Sequence, residues 1–210
     1  LDILYKRADG YHEVAMVMQS IDLHDTVTIS SAEEITVICD CAELNGENNL
    51  AYRAAILLRD TFNITRGAKI ELIKRIPIAA GLAGGSADAA AVLHGLNRLW
   101  GLNLSLSELA KLGAALGSDI PFCLYGGTML ATGRGEILKP LPALPSCPLV
   151  LVKPPVAVST AWAYQNYRPS AVERRPNIDT MLACLRHADF AGVCGAVGNV
   201  LESVTISAYP

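Results

Sequence analysis

Apolar and polar positions alternate along this chain with two different periods, and the switches between them outline the fold. Leu1-Asp2-Ile3-Leu4 already alternates as a strand, and a turn built on Asp9-Gly10 follows it. Residues 12–21, 25–30 and 35–39 then read as short strands by alternation and β-branched content. Polar turns join them, so an antiparallel sheet is expected. From Leu50 the period lengthens. Leu50, Ala54, Leu57 and Leu58 form one apolar stripe of a helix that Asn48 or Asn49 can cap. Alternation returns through residues 68–76, and a long helical pattern follows as far as Trp100. Ser105-Leu106-Ser107-Glu108 has the form of a capping box for a helix reaching about Leu116, with Gly117 as its stop.

Further on, residues 128–132 and 136–139 predict a hairpin across Gly133-Arg134-Gly135. Pro140, Pro142, Pro145 and Pro148 mark a module boundary, so the domains are drawn as 1–146 and 147–210. Leu149 to Val152 is expected to be a fresh strand, closed by Lys153-Pro154-Pro155. The remainder reads as helix over 159–166, 177–187 and from Asp189 to about Glu202.

Composition narrows the class. Of the 210 residues 51% are hydrophobic and 6% aromatic, so a sizeable core is built mainly from aliphatic side chains. No apolar run reaches the ~18–20 residues of a membrane span, and no secretory leader pattern opens the chain. A cytoplasmic protein without a membrane partner is expected. The formal charge of −3 gives no electrostatic footprint for nucleic acid. The six cysteines are scattered and lack paired C-x-x-C spacing, which is expected of free thiols in a reducing compartment.

One stretch stands apart from this bland background. Pro77, Ile78, Ala79, Ala80, Gly81, Leu82, Ala83, Gly84, Gly85, Ser86 and Ala87 join a strand pattern to a helix pattern that is expected to start near Ser86. Glycine tolerates backbone angles that other residues resist, so Gly81, Gly84 and Gly85 allow a tight curl. Curled backbone and a helix start both present unpaired N–H groups, which together suit phosphate. The short alanine side chains leave room for a large anion. Neither the Gly-Lys-Ser/Thr of a Walker loop nor G-x-G-x-x-G spacing is found.

The string P-x-x-x-G-L-x-G-G-S-A resembles the nucleotide loop of the GHMP kinases, which include galactokinase, homoserine kinase, mevalonate kinase and phosphomevalonate kinase. The resemblance implies an α+β GHMP-kinase fold: an N-terminal domain like ribosomal protein S5, then a partial ferredoxin-like α/β domain. It implies ATP on the loop, with Mg²⁺ bridging the phosphate oxygens and Ser86 as a candidate ligand; no metal cluster is expected. L-G-S-D-I-P-F is similar to the stretch that carries the catalytic aspartate in one branch of the family, which makes Asp119 the expected base. Arg7-Ala8-Asp9-Gly10-Tyr11-His12 resembles a signature of the branch that phosphorylates the 2-hydroxyl of a cytidine-diphosphate-linked methylerythritol, in non-mevalonate isoprenoid biosynthesis. By that resemblance Tyr11 stacks on the cytosine, His12 reads its edge, and Tyr164 supplies a second ring.

Two family motifs are not found: a P-A-K-[IL]-N-L segment whose lysine pairs with the aspartate, and a C-terminal Gly-Ser-Gly loop. The chain therefore resembles a fragment of such a kinase. Another small-molecule GHMP kinase and a non-catalytic nucleotide-binding remnant stay open as alternatives. The sequence carries no sign of oligomeric state.

Overall fold

Strand alternation sets the first sheet. In β5 (Gly67–Ile73) Ala68, Ile70 and Leu72 point to one face and are buried, while Lys69 and Glu71 pair with each other on the other face. β4 (Ile35–Cys39) runs parallel to β5 and β3 (Thr26–Ala32) antiparallel, in the order β3-β5-β4. Register puts Ile35, Val37 and Cys39 beside Ala68, Ile70 and Leu72, so one face is continuously apolar. α1 (Leu50–Thr61) and α2 (Gly84–Trp100) cover it. Gly95 lets α2 lie directly on β3, since a Cβ there would meet Ile29 Cδ1 at 2.5 Å. α3 (Leu106–Ala114) and α4 (Ile120–Tyr125) pack on α2 in turn.

The structure, a computed structural model, describes residues 1–210. It divides into two compact units, and the core just described lies in the one formed by Ile21–Ile78 and Leu82–Gly126. The other unit comprises Leu1–Ser20, Ala79–Gly81 and Gly127–Pro210. Its sheet is wholly antiparallel, in the order β1-β2-β6-β7: β1 (Asp2–Lys6), β2 (His12–Gln19), β6 (Thr128–Thr132) and β7 (Ile137–Pro140). Four short helices follow: α5 (Thr160–Asn166), α6 (Ile178–Arg186), α7 (Phe190–Gly195) and α8 (Glu202–Ala208). A second core gathers Ile3, Val14, Tyr167, Val200 and Val204. Arg175 ties these elements together by donating to Asp2, to the Ile3 carbonyl and to the Tyr167 hydroxyl.

Several elements differ from the sequence reading. Leu149–Val152 is not a strand: no neighbour offers it a ladder, and Val150 is 90% exposed. β5 stops at Ile73, because the next three backbone N–H groups are taken by aspartate side chains and not by a neighbouring strand. The helix expected from Asp189 to Glu202 breaks after Gly195. Residues 198–200 bond instead to Leu1, which donates to the Gly198 carbonyl and accepts from the Val200 N–H. All six cysteines are unpaired.

Leu96 lies on α2 with no exposed surface. Leu96→Ala should cost about 2–5 kcal/mol of stability through lost burial and a residual cavity. Urea unfolding followed by circular dichroism reads this; a cost below about 1 kcal/mol would show that α2 is not the centre of its core.

Candidate active site

The stretch between β5 and α2 turns by three left-handed residues: Ala79 (φ 53°), Gly81 (φ 70°) and Ala83 (φ 52°). Two of the three are alanines, which adopt this region at a cost of order 1 kcal/mol each. Gly84 and Gly85 turn out not to supply the curl. They are the first two residues of α2, so the helix starts two positions ahead of Ser86. Gly84 is required by space instead: a Cβ there would come within 2.9 Å of Ile76 Cγ2.

Ala83 occupies the N-cap position, and no side chain caps this end of α2. The first-turn N–H groups of Gly84, Gly85 and Ser86 consequently have no helical partner, and the positive end of the helix dipole adds to them. Such an end suits an anion. Ser86 is nearly buried, with its Oγ 3.9 Å from where a Cβ on Gly117 would stand. The loop helix thus faces the turn that leads into Asp119.

Asp119 precedes α4 and makes no capping hydrogen bond. Capping α4 therefore does not account for it. Burial alone pushes its carboxyl above the usual aspartate range. One turn on, Cys123 is pushed up to about 12 by burial first, then by the charges of Asp119 and Asp88. A thiol held that high is inert at neutral pH.

Sequence reasoning missed a charged cluster under the loop. Lys74 Nζ donates to Asp25 Oδ2 and, at 2.5 Å, to Asp88 Oδ2; all three side chains are at most 5% exposed. Asp25 Oδ1 also accepts the N–H groups of Arg75 (2.5 Å) and Ile76 (2.8 Å). Burial opposes charge on Asp25, but Lys74 and these N–H groups outweigh it and hold its carboxyl below the usual range. Burial likewise opposes charge on Lys74, and the two aspartates overcome it. Asp88 goes the other way. Desolvation raises it to about 6, Lys74 opposes the rise, and the neighbouring charge of Asp25 adds to it. Asp88 Oδ1 is buried without any hydrogen bond. The only sequence signal was a polar residue interrupting the alanine run of α2.

In the other unit, β1 and β2 present the Arg7–His12 motif. The Asp9 carboxylate accepts from Tyr11 N–H and Arg7 Nε, and Gly10 takes φ 86°, which shapes the turn. His12 and Tyr164 are brought together, with ring centroids 5.5 Å apart and 31° between planes. Tyr167 meets His12 edge-on at 6.2 Å, a third ring that the sequence did not single out. Burial first, then the charge of Lys6, holds His12 below its ordinary value, so it is neutral at pH 7. Tyr11 is half exposed and carries the guanidinium of Arg134 over its ring, 4.8 Å from the centroid. Arg134 lies in the β6–β7 turn, which Glu13 secures by accepting from the Gly133 N–H. Among the site residues named from sequence, Asp119 and the Gly84–Ala87 helix start share one unit, while Tyr11, His12 and Tyr164 share the other.

A profile described as GHMP kinases N terminal domain matches residues 49–127, which span α1, β5, the loop, α2, α3 and α4. A homoserine kinase from Cytophaga hutchinsonii shares the fold with a TM-score of 0.70 at 20% identity, over 95% of this chain and 69% of that one. This is the GHMP-kinase fold. A 4-diphosphocytidyl-2-C-methyl-D-erythritol kinase from Geobacillus kaustophilus is 52% identical over 218 residues, covering 100% of this chain and 73% of the relative. The protein of that name from Bacillus pumilus is 52% identical over 213 residues, with the same coverage. A crystal structure of 4-(cytidine 5'-diphospho)-2C-methyl-D-erythritol kinase superposes with a TM-score of 0.79 at 34% identity, over 99% of this chain and 74% of that one. The chain belongs to the 4-diphosphocytidyl-2-C-methyl-D-erythritol kinase family.

Carboxyl-carbon NMR should find Asp88 titrating with a midpoint of about 6. In Lys74→Met the midpoint should move higher, because the lysine is the group that favours the carboxylate. The same substitution strands two buried carboxylates and should cost about 3–5 kcal/mol of stability. A midpoint at or below that of a free aspartate, about 3.9, would contradict the burial argument.

Proposed function

We propose that this chain transfers the γ-phosphoryl group of ATP to the 2-hydroxyl of 4-diphosphocytidyl-2-C-methyl-D-erythritol, with Asp119 as the base. The observation that carries the reading is the pairing, within one unit, of an uncapped helix start with a half-buried carboxyl that has no hydrogen bond of its own. The N–H groups of Gly84, Gly85 and Ser86 would hold ATP oxygens, leaving the terminal phosphorus open to attack. A hydroxyl presented to Asp119 would lose its proton as its oxygen attacks, and a carboxyl raised by burial accepts that proton more readily than a solvated one. Positioning and charge stabilisation supply most of the rate in such a transfer.

Mg²⁺ fits this arrangement in a limited way. No three acidic, histidine or cysteine side chains converge on one point. An ion carried by phosphate oxygens needs only one or two protein oxygens, and the Ser86 hydroxyl, which makes no hydrogen bond, is a donor of the right hard type. Bound there, Mg²⁺ would neutralise charge on the transferring phosphate.

The cytosine end is assigned to Tyr11, His12 and Tyr164. A neutral imidazole offers one donor and one acceptor to a base edge, and an aromatic face stacks on any pyrimidine.

Asp119→Asn should lower turnover by about 10²–10⁴ with little change in ATP affinity. The acid limb of the parent's pH–rate profile should lie above the 3.8 of an ordinary aspartate, since protonation disables the base, and it should vanish in the variant. Transfer assayed on the diphosphocytidyl substrate with undiminished rate in Asp119→Asn would remove Asp119 from the chemistry. Binding of both nucleotides with no transfer by the parent would favour a nucleotide-binding module instead.

Tyr164→Ala should weaken cytidine diphosphate binding by roughly ten- to hundredfold, the value of one lost stack at ~1–3 kcal/mol, and leave ATP binding unchanged. Equal losses for the two nucleotides would mean that the ring supports its core and does not read the base.

A further inference from the structure

The buried charges of Asp25, Lys74 and Asp88 are left over once the reaction has been assigned. Two negative groups and one positive group occupy a place where apolar residues would cost less to bury. Their contacts are not spread over the unit. They converge on the two stems of the phosphate loop. On the strand side, three successive backbone N–H groups are held by carboxylates: Lys74 by Asp40 Oδ1 at 3.0 Å, and Arg75 and Ile76 by Asp25 Oδ1. On the helix side, Asp88 stands one turn after Gly84, and its Oδ2 takes the Lys74 ammonium. A Cβ on Gly84 would stand 3.6 Å from the Lys74 Nζ and 2.9 Å from Ile76 Cγ2, so the helix start rests against the same clamp.

We infer that Asp25, Lys74 and Asp88 are positioning residues that brace the two stems of the phosphate loop in its nucleotide-binding shape. The inference rests on the reading that this loop holds ATP. Lys74 is the keystone. It lies on the strand stem, is anchored by Asp25 from the approach to β3, and reaches across to Asp88 on α2. Apart from it, the stems meet through apolar packing, of Ile76 on Gly84 and of β5 on α2. The loop itself carries two alanines in left-handed conformation, a strain that persists only where the surroundings over-determine it. Preorganised donors bind phosphate without first being ordered, so loosening the stems should be felt as lost nucleotide affinity.

A single charge removal would confound bracing with plain instability. The test is therefore the triple variant Asp25→Asn/Lys74→Met/Asp88→Leu, which replaces the ionic contacts by side chains of similar size and keeps an oxygen for the Arg75 and Ile76 N–H groups. Replacing a whole buried ion cluster by apolar groups is commonly neutral for stability. The full chain is titrated with ATP by calorimetry, in EDTA so that loss of a metal ligand is not mistaken for loss of the brace, and with cytidine diphosphate in parallel. The expected result is an unfolding midpoint near the parent's, ATP affinity down at least tenfold, and cytidine diphosphate affinity unchanged. In the transfer assay KM for ATP should rise and kcat fall, while KM for the diphosphocytidyl substrate holds. Asp88→Asn, which keeps an oxygen toward Lys74, should stay within about threefold of the parent for ATP. A folded triple variant with parental ATP affinity would overturn the brace. Should the triple variant unfold, a tenfold loss in Asp88→Leu against near-parental Asp88→Asn would carry the inference, and equal ATP affinity in those two would overturn it. Gly84→Val separates the underlying reading: parental ATP affinity in folded Gly84→Val would mean that the loop is not the ATP site.

Discussion

One constraint organises the larger core: α2 must be buried along its length while its first turn stays uncapped and open. Ala89, Ala90, Val92, Leu93 and Leu96 are buried, and α1, β3, α3 and α4 close around them. Packing, not capping, holds the helix in place. Had the start of α2 been closed by a serine or aspartate in the usual way, the helix would be more stable by about 1 kcal/mol and its N–H groups would no longer face a ligand. The same economy applies at α4, where Asp119 stands at the cap position without capping.

Keeping such an end open shifts the burden to what lies beneath it. Buried charge is costly, and the cluster around Lys74 is one lysine short of neutrality when both aspartates are ionised. The fold relieves this unevenly. Asp25, with Lys74 and two backbone N–H groups, stays ionised; Asp88, with one oxygen orphaned, takes up a proton near pH 6. By linkage, the raised value means that an ionised Asp88 opposes folding in full above about pH 6; the penalty shrinks as pH falls through that value and is gone only below the unfolded aspartate value. Asp25 has the opposite sign: its support is present above the unfolded aspartate value and is lost as pH falls through its lowered folded value. Keeping two opposed carboxylates buried under the stretch between β5 and α2 costs stability.

How far the sequence foretold this depends on the range of each interaction. Short-range signals translated directly. Asn49 caps α1 by accepting from Ala51, Ser105 and Glu108 form both bonds of the capping box, and the Gly133–Gly135 turn closes its hairpin. The loop was legible as a string because its residues are consecutive, and Gly81 takes the left-handed turn expected of it; the reason for Gly84 was misjudged, since it answers a close approach by Ile76 on the preceding stem. Lys74 was illegible, since its partners are 49 and 14 residues away and no periodicity links them. Leu149–Val152 failed for a related reason. A β-branched run is only half of a strand, and pairing is supplied by something outside it.

The Arg7–His12 motif adds a second lesson about range. Arg7, Asp9, Tyr11, His12 and Glu13 are contiguous, so the motif could be recognised, yet the property that matters for stacking is conferred from afar. Arg134 lies more than a hundred positions along the chain and covers one face of Tyr11. It is kept there by Glu13, which accepts from Gly133 and pairs with Arg7, so the motif itself holds the turn that delivers the cation. A guanidinium over one face polarises the ring through a cation–π attraction. A substitution at Glu13 would then be felt at Tyr11 although the two side chains serve different purposes.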